Sequence, residues 1–166
     1  MESLDCVTPA GKKWVSRQSS VVQIISEAWN LDAIETSKTS SATIDVLFSR
    51  SGILKAVAEI KCRDMDYAQL QRYGSYLITE DKLIRGYRVA ASLHAPLFLF
   101  VGLRGDQRIV YCQLTDELGV PVGVTIERRS SLTKRTCNDH SGVERMNAYI
   151  PVEHMRELKH SGGISW

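Results

Sequence analysis

Two carboxylates and a lysine interrupt two neighbouring apolar stretches of the chain. Asp45 stands in the first stretch, and the triplet Glu59-Ile60-Lys61 breaks the second. Placing such charges at the edge of an apolar sheet is costly unless an opposite charge compensates them. A hard divalent cation such as Mg²⁺ provides that compensation, because it takes oxygen ligands and keeps several waters. The pattern therefore favours a metal-binding site over a solvated surface.

The elements that must position these residues are predicted to be two antiparallel strands. The turn signal Ser49-Arg50-Ser51-Gly52 separates the two apolar stretches and predicts a hairpin. Residues two apart in a strand share a face, so Glu59 and Lys61 project together, and the partner strand can bring Asp45 beside them. Ordinary surface alternation also produces Glu-x-Lys, but this triplet interrupts an apolar run.

A helix over residues 66–78 is predicted to follow the hairpin, capped by one of the aspartates at its start. Gln69 and Tyr73 are four positions apart and therefore share a helical face, with Arg72 beside them. Tyr73 is also compatible with a plain amphipathic role, in which the ring packs and the hydroxyl reaches water.

These motifs and their order resemble the core of the restriction-endonuclease-like, or PD-(D/E)xK, nuclease superfamily. The order is Asp45, then Glu59-Ile60-Lys61, then the Gln-x-x-x-Tyr pair. The Gln-x-x-x-Tyr pair is similar to the motif of its phage lambda exonuclease and RecB-nuclease branch. The resemblance covers about residues 19–114, and Ile44 stands where the name-giving pattern has proline. It implies an α/β fold with a restriction-endonuclease-like core, in which helices flank a central mixed sheet of four to five strands.

The resemblance also implies the chemistry of a Mg²⁺-dependent DNA nuclease, with Mn²⁺ expected to substitute. The implied catalytic residues are Asp45, Glu59, Lys61, Gln69 and Tyr73. The implied metal ligands are Asp45, Glu59, the carbonyl of Ile60, and Glu27 on the first predicted helix. Glu27 is equally well explained as a solvated helix acid. Lys61 would orient the attacking water or stabilise charge on the phosphate, because an ordinary lysine pKa of about 10.4 is too high for a proton acceptor.

Candidate DNA contacts are basic side chains, because lysine and arginine neutralise phosphates without reading sequence. They are Arg72, Arg128, Arg129, Lys134 and Arg135, the last four in a segment that is also explained as a plain flexible loop. On a helix predicted over residues 80–94, Lys82, Arg85 and Arg88 are expected to form a solvated face. The formal net charge of +2 is small, so DNA binding depends on such local patches.

The chain is predicted to form a single domain, 18–166, behind a flexible basic segment, 1–17. Within it we expect a core at 19–114 and a C-terminal extension at 115–166. The other predicted elements are a helix over 18–30, a polar connection over 31–42, strands over 97–103 and 108–114, a short edge strand at 149–152 and a helical turn at 153–159. Apolar residues at helical spacing indicate the first of these helices.

Cysteine usage and hydropathy indicate a cytoplasmic protein. The four cysteines show no paired spacing, which is typical of free thiols in a reducing compartment. No apolar segment resembles a signal peptide or approaches the roughly 20 residues of a membrane span. We therefore expect DNA as the partner and no membrane association.

Other functions fit the same sequence. One is a non-catalytic DNA-binding module on the same fold, which the presence of all three core residues disfavours. A Holliday-junction-resolvase-type endonuclease is another, and an interaction protein with Glu-x-Lys as surface alternation is a third. The Gln-x-x-x-Tyr pair favours exonuclease-like processing over structure-specific cleavage. The compact chain suits a phage or mobile element, and we expect specificity to come from a homo-oligomer or from a helicase or recombination partner.

Overall fold

The computed structural model describes residues 9–37, 42–134 and 142–161. Its α-helices are α1 (Pro9–Trp29), α2 (Tyr67–Tyr73) and α3 (Glu80–Leu93). Its strands are β1 (Asp32–Glu35), β2 (Val46–Arg50), β3 (Ile53–Arg63), β4 (Ser75–Thr79), β5 (Leu97–Leu103), β6 (Arg108–Gln113), β7 (Glu127–Lys134), β8 (Gly142–Pro151) and β9 (Arg156–Glu157). None of the described helices is both long enough and apolar enough to cross a membrane.

Two sheets organise these strands. A mixed six-stranded sheet has the order β1-β2-β3-β5-β6-β9, in which β3 and β5 are parallel and the other neighbours antiparallel. A separate antiparallel sheet has the order β4-β8-β7. The predicted α/β class and mixed central sheet are confirmed, with six strands in place of four to five. The prediction missed β1 because all four of its residues are exposed and show no apolar alternation.

The central hairpin, helix α3 and the two strands that follow it are confirmed. Strands β2 and β3 pair with Arg50 opposite Ile53, so the turn falls at Ser51-Gly52. Both turn residues have positive φ angles, 52° and 75°, as a two-residue type I′ hairpin requires. The turn therefore sets the register at the start of the hairpin, and a bulge between Phe48 and Ser49 shifts it by one residue before the acid-x-lysine triplet.

Apolar layers cover both faces of the six-stranded sheet. The layer beneath α1 includes Val21, Ile25, Phe48, Ile60 and Phe100. The opposite layer includes Val57, Leu83, Leu99, Ala148 and Ile150, from the sheet, α3 and β8. Because side chains alternate along β3, Ile60 faces α1, whereas Glu59 and Lys61 face α3 and the three-stranded sheet.

Helix α1 begins at Pro9 and not at Gln18. Residues 9–17 are therefore helical, which corrects the prediction of a flexible segment there, while residues 1–8 lie outside the described residues. Proline suits the first turn of a helix, because the amide hydrogen that it lacks would have no helical partner there. Arg17 is buried and its guanidinium lies 4.7 Å from the centre of the Trp14 ring, whereas Lys12 and Lys13 are exposed, so Arg17 is the cation of this stretch that packs.

Helix α2 is shorter than predicted because Gly74 ends it. Asp66 caps its start, as one of the two predicted aspartates. Gly74 adopts a φ of 71°, the left-handed conformation in which helices commonly terminate. The residues that follow form β4, in which Tyr76 and Ile78 are buried and their neighbours are less so. That alternation has a period of two, which the prediction of one continuous helix over 66–78 overlooked.

The C-terminal extension contains more strand than predicted. The cationic segment forms β7 and not a flexible loop, and β8 is the central strand of its sheet and not a short edge strand. Residues 152–157 form a 3₁₀ turn and β9 in place of the predicted helical turn. Most side chains of β7 are exposed, so the strand lacks the apolar alternation by which sequence reveals a strand.

Candidate active site

Asp45 meets the triplet where β2 and β3 stop pairing. The amide of Asp45 donates the last hydrogen bond of that ladder, to the Ala58 carbonyl at 2.9 Å. One step further along β3, the amide of Ile60 donates to Asp45 Oδ2 at 2.8 Å. The carboxylate thus takes the place of a strand partner, and this contact holds Asp45 beside Glu59 and Lys61. The structure brings these three predicted residues together.

Glu59 is buried, with only 3% of its surface exposed, and two lysines contact its carboxylate. Lys61 Nζ lies 2.5 Å from Oε1, and Lys82 Nζ lies 3.0 Å from Oε2. Lys82 also donates to the Ala42 carbonyl at 3.0 Å. The prediction that Lys82 is solvated was therefore wrong. The sequence did contain a signal that Lys82 faces inward. Lys82 is four residues before Gly86 and therefore lies on the same face of α3 as the buried residues.

Burial and mutual attraction shift the acid–base behaviour of this cluster. Burial raises the pKa of Glu59, and the charges of Lys61 and Lys82 only partly oppose that rise. Burial would lower the pKa of Lys61, but the carboxylates of Glu59 and Asp45 outweigh it, so the pKa lies above its ordinary value. Lys61 is therefore a cation at neutral pH and is poorly suited to accept a proton.

Gln18 is a residue of this site that the sequence did not reveal. Its Nε2 donates to the Ile60 carbonyl at 2.9 Å, from the side of the sheet covered by α1. The Ile60 backbone is thus held on both sides, by Asp45 through its amide and by Gln18 through its carbonyl. Because the partner is a main-chain atom in a distant strand, no motif marks this contact.

The structure does not bring Glu27 to the cluster. Its exposed carboxylate accepts a hydrogen bond from Gln23 Nε2 at 3.0 Å. At 1.5 Å per residue, Glu27 lies about 13 Å along α1 from Gln18. That end of the helix adjoins the hairpin turn, where Arg50 donates to the carbonyl of Asn30 at 3.0 Å, and the cluster lies at the opposite end of the hairpin. The contacts thus support the alternative of a solvated helix acid.

Gln69, Arg72 and Tyr73 are exposed on α2, outside the charged cluster. The Gln69 side chain accepts from the amide of Asp66 at 3.0 Å while Asp66 Oδ1 accepts from the amide of Gln69 at 2.7 Å, forming a capping box. Tyr73 is 69% exposed and lines a cavity of about 370 Å³. Gln69 therefore has a structural role, and Tyr73 remains available to a ligand.

The predicted phosphate contacts on β7 have different surroundings. Arg128 Nε pairs with Glu80 Oε1 at 2.9 Å, which ties β7 to the start of α3. Arg129 lies over the Tyr149 ring at 4.0 Å and lines the same cavity as Tyr73. The side chain of Lys134 and the whole of Arg135 lie outside the described residues. Arg129 is thus the member of this group that shares a cavity with Tyr73.

The donors of the cluster suit a hard cation that keeps much of its water. Asp45, Glu59 and the Ile60 carbonyl offer oxygen atoms, as Mg²⁺ prefers. Among the described residues, no group of three or more His, Cys, Asp or Glu side chains could enclose a metal. Mg²⁺ does not require one, since it is usually held by one or two carboxylates and substrate phosphates. The residues therefore fit Mg²⁺ better than a structural metal.

The central sheet is mixed, Asp45 directly precedes β2, and the triplet Glu59-Ile60-Lys61 lies on β3. This is the arrangement expected of a PD-(D/E)xK nuclease. A family model described as "Phage putative PDDEXK endonuclease" matches residues 15–158, and the chain belongs to this family. The resemblance to the superfamily is confirmed, while the lambda-exonuclease branch remains a prediction. Comparison with curated proteins gave no match, and neither did comparison with solved structures.

Proposed function

We propose that this protein is a Mg²⁺-dependent endonuclease that hydrolyses phosphodiester bonds of DNA. The observation that carries the proposal is the convergence of Asp45, Glu59 and Lys61, where the amide of Ile60 donates to the Asp45 carboxylate instead of to strand β2. Membership of a family described as an endonuclease family supports the same function. The cluster lies where β2 and β3 stop pairing, and Lys61 reaches the surface there, with 27% of its side chain exposed.

Asp45, Glu59 and the Ile60 carbonyl would hold the metal. When bound, Mg²⁺ polarises the scissile phosphate and lowers the pKa of a coordinated water. The protein's part is to keep the ligands in place: Ile60 N–H restrains Asp45, and Gln18 restrains the Ile60 carbonyl. Lys82 restrains one oxygen of Glu59 from α3.

Lys61 would stabilise negative charge at the phosphate. Its ammonium group stays protonated, since its pKa is raised, and it is close to both carboxylates. A fixed cation aimed at developing charge is worth about 10²–10³ in rate in comparable sites. The two carboxylates and two lysines balance in charge, so the cluster gains a net positive charge only with a divalent ion. Metal and the phosphodiester are therefore expected to bind cooperatively.

Covalently closed circular DNA provides the test, because an exonuclease requires an end. The purified protein is incubated with closed circular, linear duplex and single-stranded DNA in Mg²⁺, Mn²⁺ or EDTA. We expect nicked and linear products from the closed circle in Mg²⁺ and Mn²⁺ and none in EDTA. Glu59→Gln, which preserves side-chain volume, is expected to abolish cleavage. Glu27→Gln, an exposed acid outside the cluster, is expected to cleave like the wild type.

Each alternative predicts a different result in the same assay. Degradation of linear DNA with the closed circle untouched would indicate the exonuclease that the Gln-x-x-x-Tyr pair predicts. Salt-sensitive binding without cleavage in any metal would indicate a DNA-binding module. Loss of activity in Glu27→Gln would mean that the metal site extends beyond the cluster described above.

A further inference from the structure

A cavity of about 370 Å³ lies beside the charged cluster, where α2 and β4 meet the β7–β8 hairpin. Its lining includes Arg63, Tyr73, Tyr76, Arg129 and Tyr149. The volume falls within the about 300–1,000 Å³ of typical ligand sites. Aromatic rings and guanidinium groups together suit a ligand that is both planar and anionic.

Tyr76 connects this cavity to the cluster. It lines the cavity, and its ring lies 5.4 Å from the guanidinium carbon of Arg63, two residues beyond Lys61 on β3. Burial raises the pKa of Tyr76, and the charges of Arg63, Lys61 and Glu59 also act on its hydroxyl. The hydroxyl is therefore protonated at neutral pH and lies near the atoms proposed to act on DNA.

The Tyr76 hydroxyl has no hydrogen-bond partner among the described residues, although the side chain is only 3% exposed. Burying a hydroxyl without a partner is unfavourable, and native structures keep few such groups. A ligand atom that accepts from this hydroxyl would remove the cost. Because the hydroxyl lies near cations, an anionic oxygen is the acceptor that its surroundings favour.

The two arginines of the cavity are only weakly neutralised. Arg63 donates to the Cys62 carbonyl at 2.9 Å and, within the part of the chain that the structure describes, pairs with no carboxylate. Arg129 lies 3.7 Å from Glu127, a long contact between two exposed side chains. The exposed ring of Tyr73 lies at the same cavity and offers a flat apolar surface. The cavity thus combines two available cations with a stacking surface.

We propose that this cavity is the subsite for the nucleotide next to the scissile phosphodiester. The base stacks on Tyr73, and phosphate oxygens accept hydrogen bonds from the Tyr76 hydroxyl and from Arg63 and Arg129. The inference rests on the proposed nuclease function, because the cluster defines which phosphodiester is scissile. Tyr76 is accordingly a substrate-binding residue that the motif of the superfamily does not include.

The test measures binding of thymidine 3′,5′-bisphosphate in EDTA, so no cleavage is required. Tyr76→Phe removes only the hydroxyl, and we expect its Kd to rise about 10-fold to 100-fold, as for a hydrogen bond to a charged group. Its Tm is expected to stay the same or rise, because an unpaired buried hydroxyl is lost. Tyr73→Ala is expected to weaken the bisphosphate about tenfold while leaving inorganic phosphate unaffected.

Tyr87→Phe is the matched control, because the Tyr87 hydroxyl is likewise buried with no partner in the part of the chain that the structure describes, but Tyr87 does not line this cavity. We expect its Kd to equal that of the wild type. A wild-type Kd in Tyr76→Phe, a lowered Tm in that variant, or no binding by the wild-type protein would overturn the inference. Binding that depends on Tyr76 in a protein that cleaves no DNA would retain the nucleotide site and reject the nuclease. If the protein cleaves DNA but Tyr76→Phe binds the bisphosphate with the wild-type Kd, the nuclease function is retained and the nucleotide site is rejected.

Discussion

Replacing Lys82 by methionine removes one of the two ammonium groups that neutralise the buried Glu59 carboxylate. Methionine keeps much of the aliphatic stem, so the variant loses mainly the charge and the hydrogen bond to Ala42. At 3.0 Å and an effective dielectric constant of about 20, the gross attraction is about 5.5 kcal/mol. Desolvation of Lys82 offsets part of it, and Lys61 still pairs with Glu59. We expect a net loss of about 2 kcal/mol in unfolding free energy.

Urea unfolding in EDTA measures this loss, and the Tm should fall by about 4–8 °C for a chain of this size. Arg85→Met is the control on the same helix. Arg85 pairs with Asp81, but the two side chains are 56% and 71% exposed, and such pairs contribute little. A Lys82→Met variant as stable as the wild type would refute the reasoning, as would an equal loss in Arg85→Met.

The same variant should bind Mg²⁺ more tightly. Lys82 competes with a metal for Glu59, and its removal changes the charge of the cluster from neutral to negative. Added MgCl₂ should therefore raise the Tm of Lys82→Met more than that of the wild type, since a ligand that binds only the folded state stabilises it. An equal or smaller Mg²⁺-dependent rise would show that Lys82 does not compete for this carboxylate.

Three further predictions follow from the structure. Lys61→Ala should retain DNA binding and lose cleavage by about 10²-fold or more, because the fixed cation at the phosphate is absent; retained Mg²⁺-dependent turnover would contradict this role. Gly74→Ala should cost about 1 kcal/mol in urea unfolding, because φ is 71° and nothing lies within 4 Å of the added methyl group; a much larger loss would indicate a clash. Burial raises the pKa of both Cys62 and Cys112 from 9.0 to about 11. From pH 9 to 11 the unfolded chain therefore releases protons that the folded chain keeps, and unfolding free energy should fall by up to about 1.4 kcal/mol per pH unit for each thiol. A Cys62→Ala/Cys112→Ala variant should show a shallower fall, and parallel slopes would contradict the assignment.

Local signals predicted that Asp45, Glu59 and Lys61 lie close together, as they do in the structure, while their catalytic role stays a prediction. The turn at Ser51-Gly52 predicts the hairpin, and the alternation along β3 predicts that Glu59 and Lys61 share a face; both signals are visible within about twenty residues. The contacts of Gln18 and Lys82 are different, because each joins a helix to a strand far away in the chain. Helical spacing places Lys82 on an inward stripe, but only the packing of α3 against β3 shows which atom it meets.

The Gln69–Tyr73 pair shows why a short motif leaves function open. Gln69 completes a capping box with Asp66, so helix capping alone accounts for a glutamine at that position. Tyr73, four residues later, is exposed and is free to serve a ligand. One motif therefore contains a residue with a structural role, Gln69, and a residue available for binding, Tyr73. The spacing of the motif alone does not show which role each residue has.

The pairing of β4 with β8 also affects the order in which parts of the fold are completed during synthesis. Strand β4 carries Tyr76 and leads directly into Lys82, yet its partner residues, Asn147–Pro151, are made about seventy residues later. Before then β4 has no neighbour in its sheet, and Tyr76 lacks the strand that pairs beside it. A nascent chain would therefore expose the Asp45–Glu59–Lys61 hairpin to the cell before its support is complete. If the proposed nuclease function and nucleotide subsite are correct, an unfinished copy is for that reason expected to lack the complete nucleotide subsite.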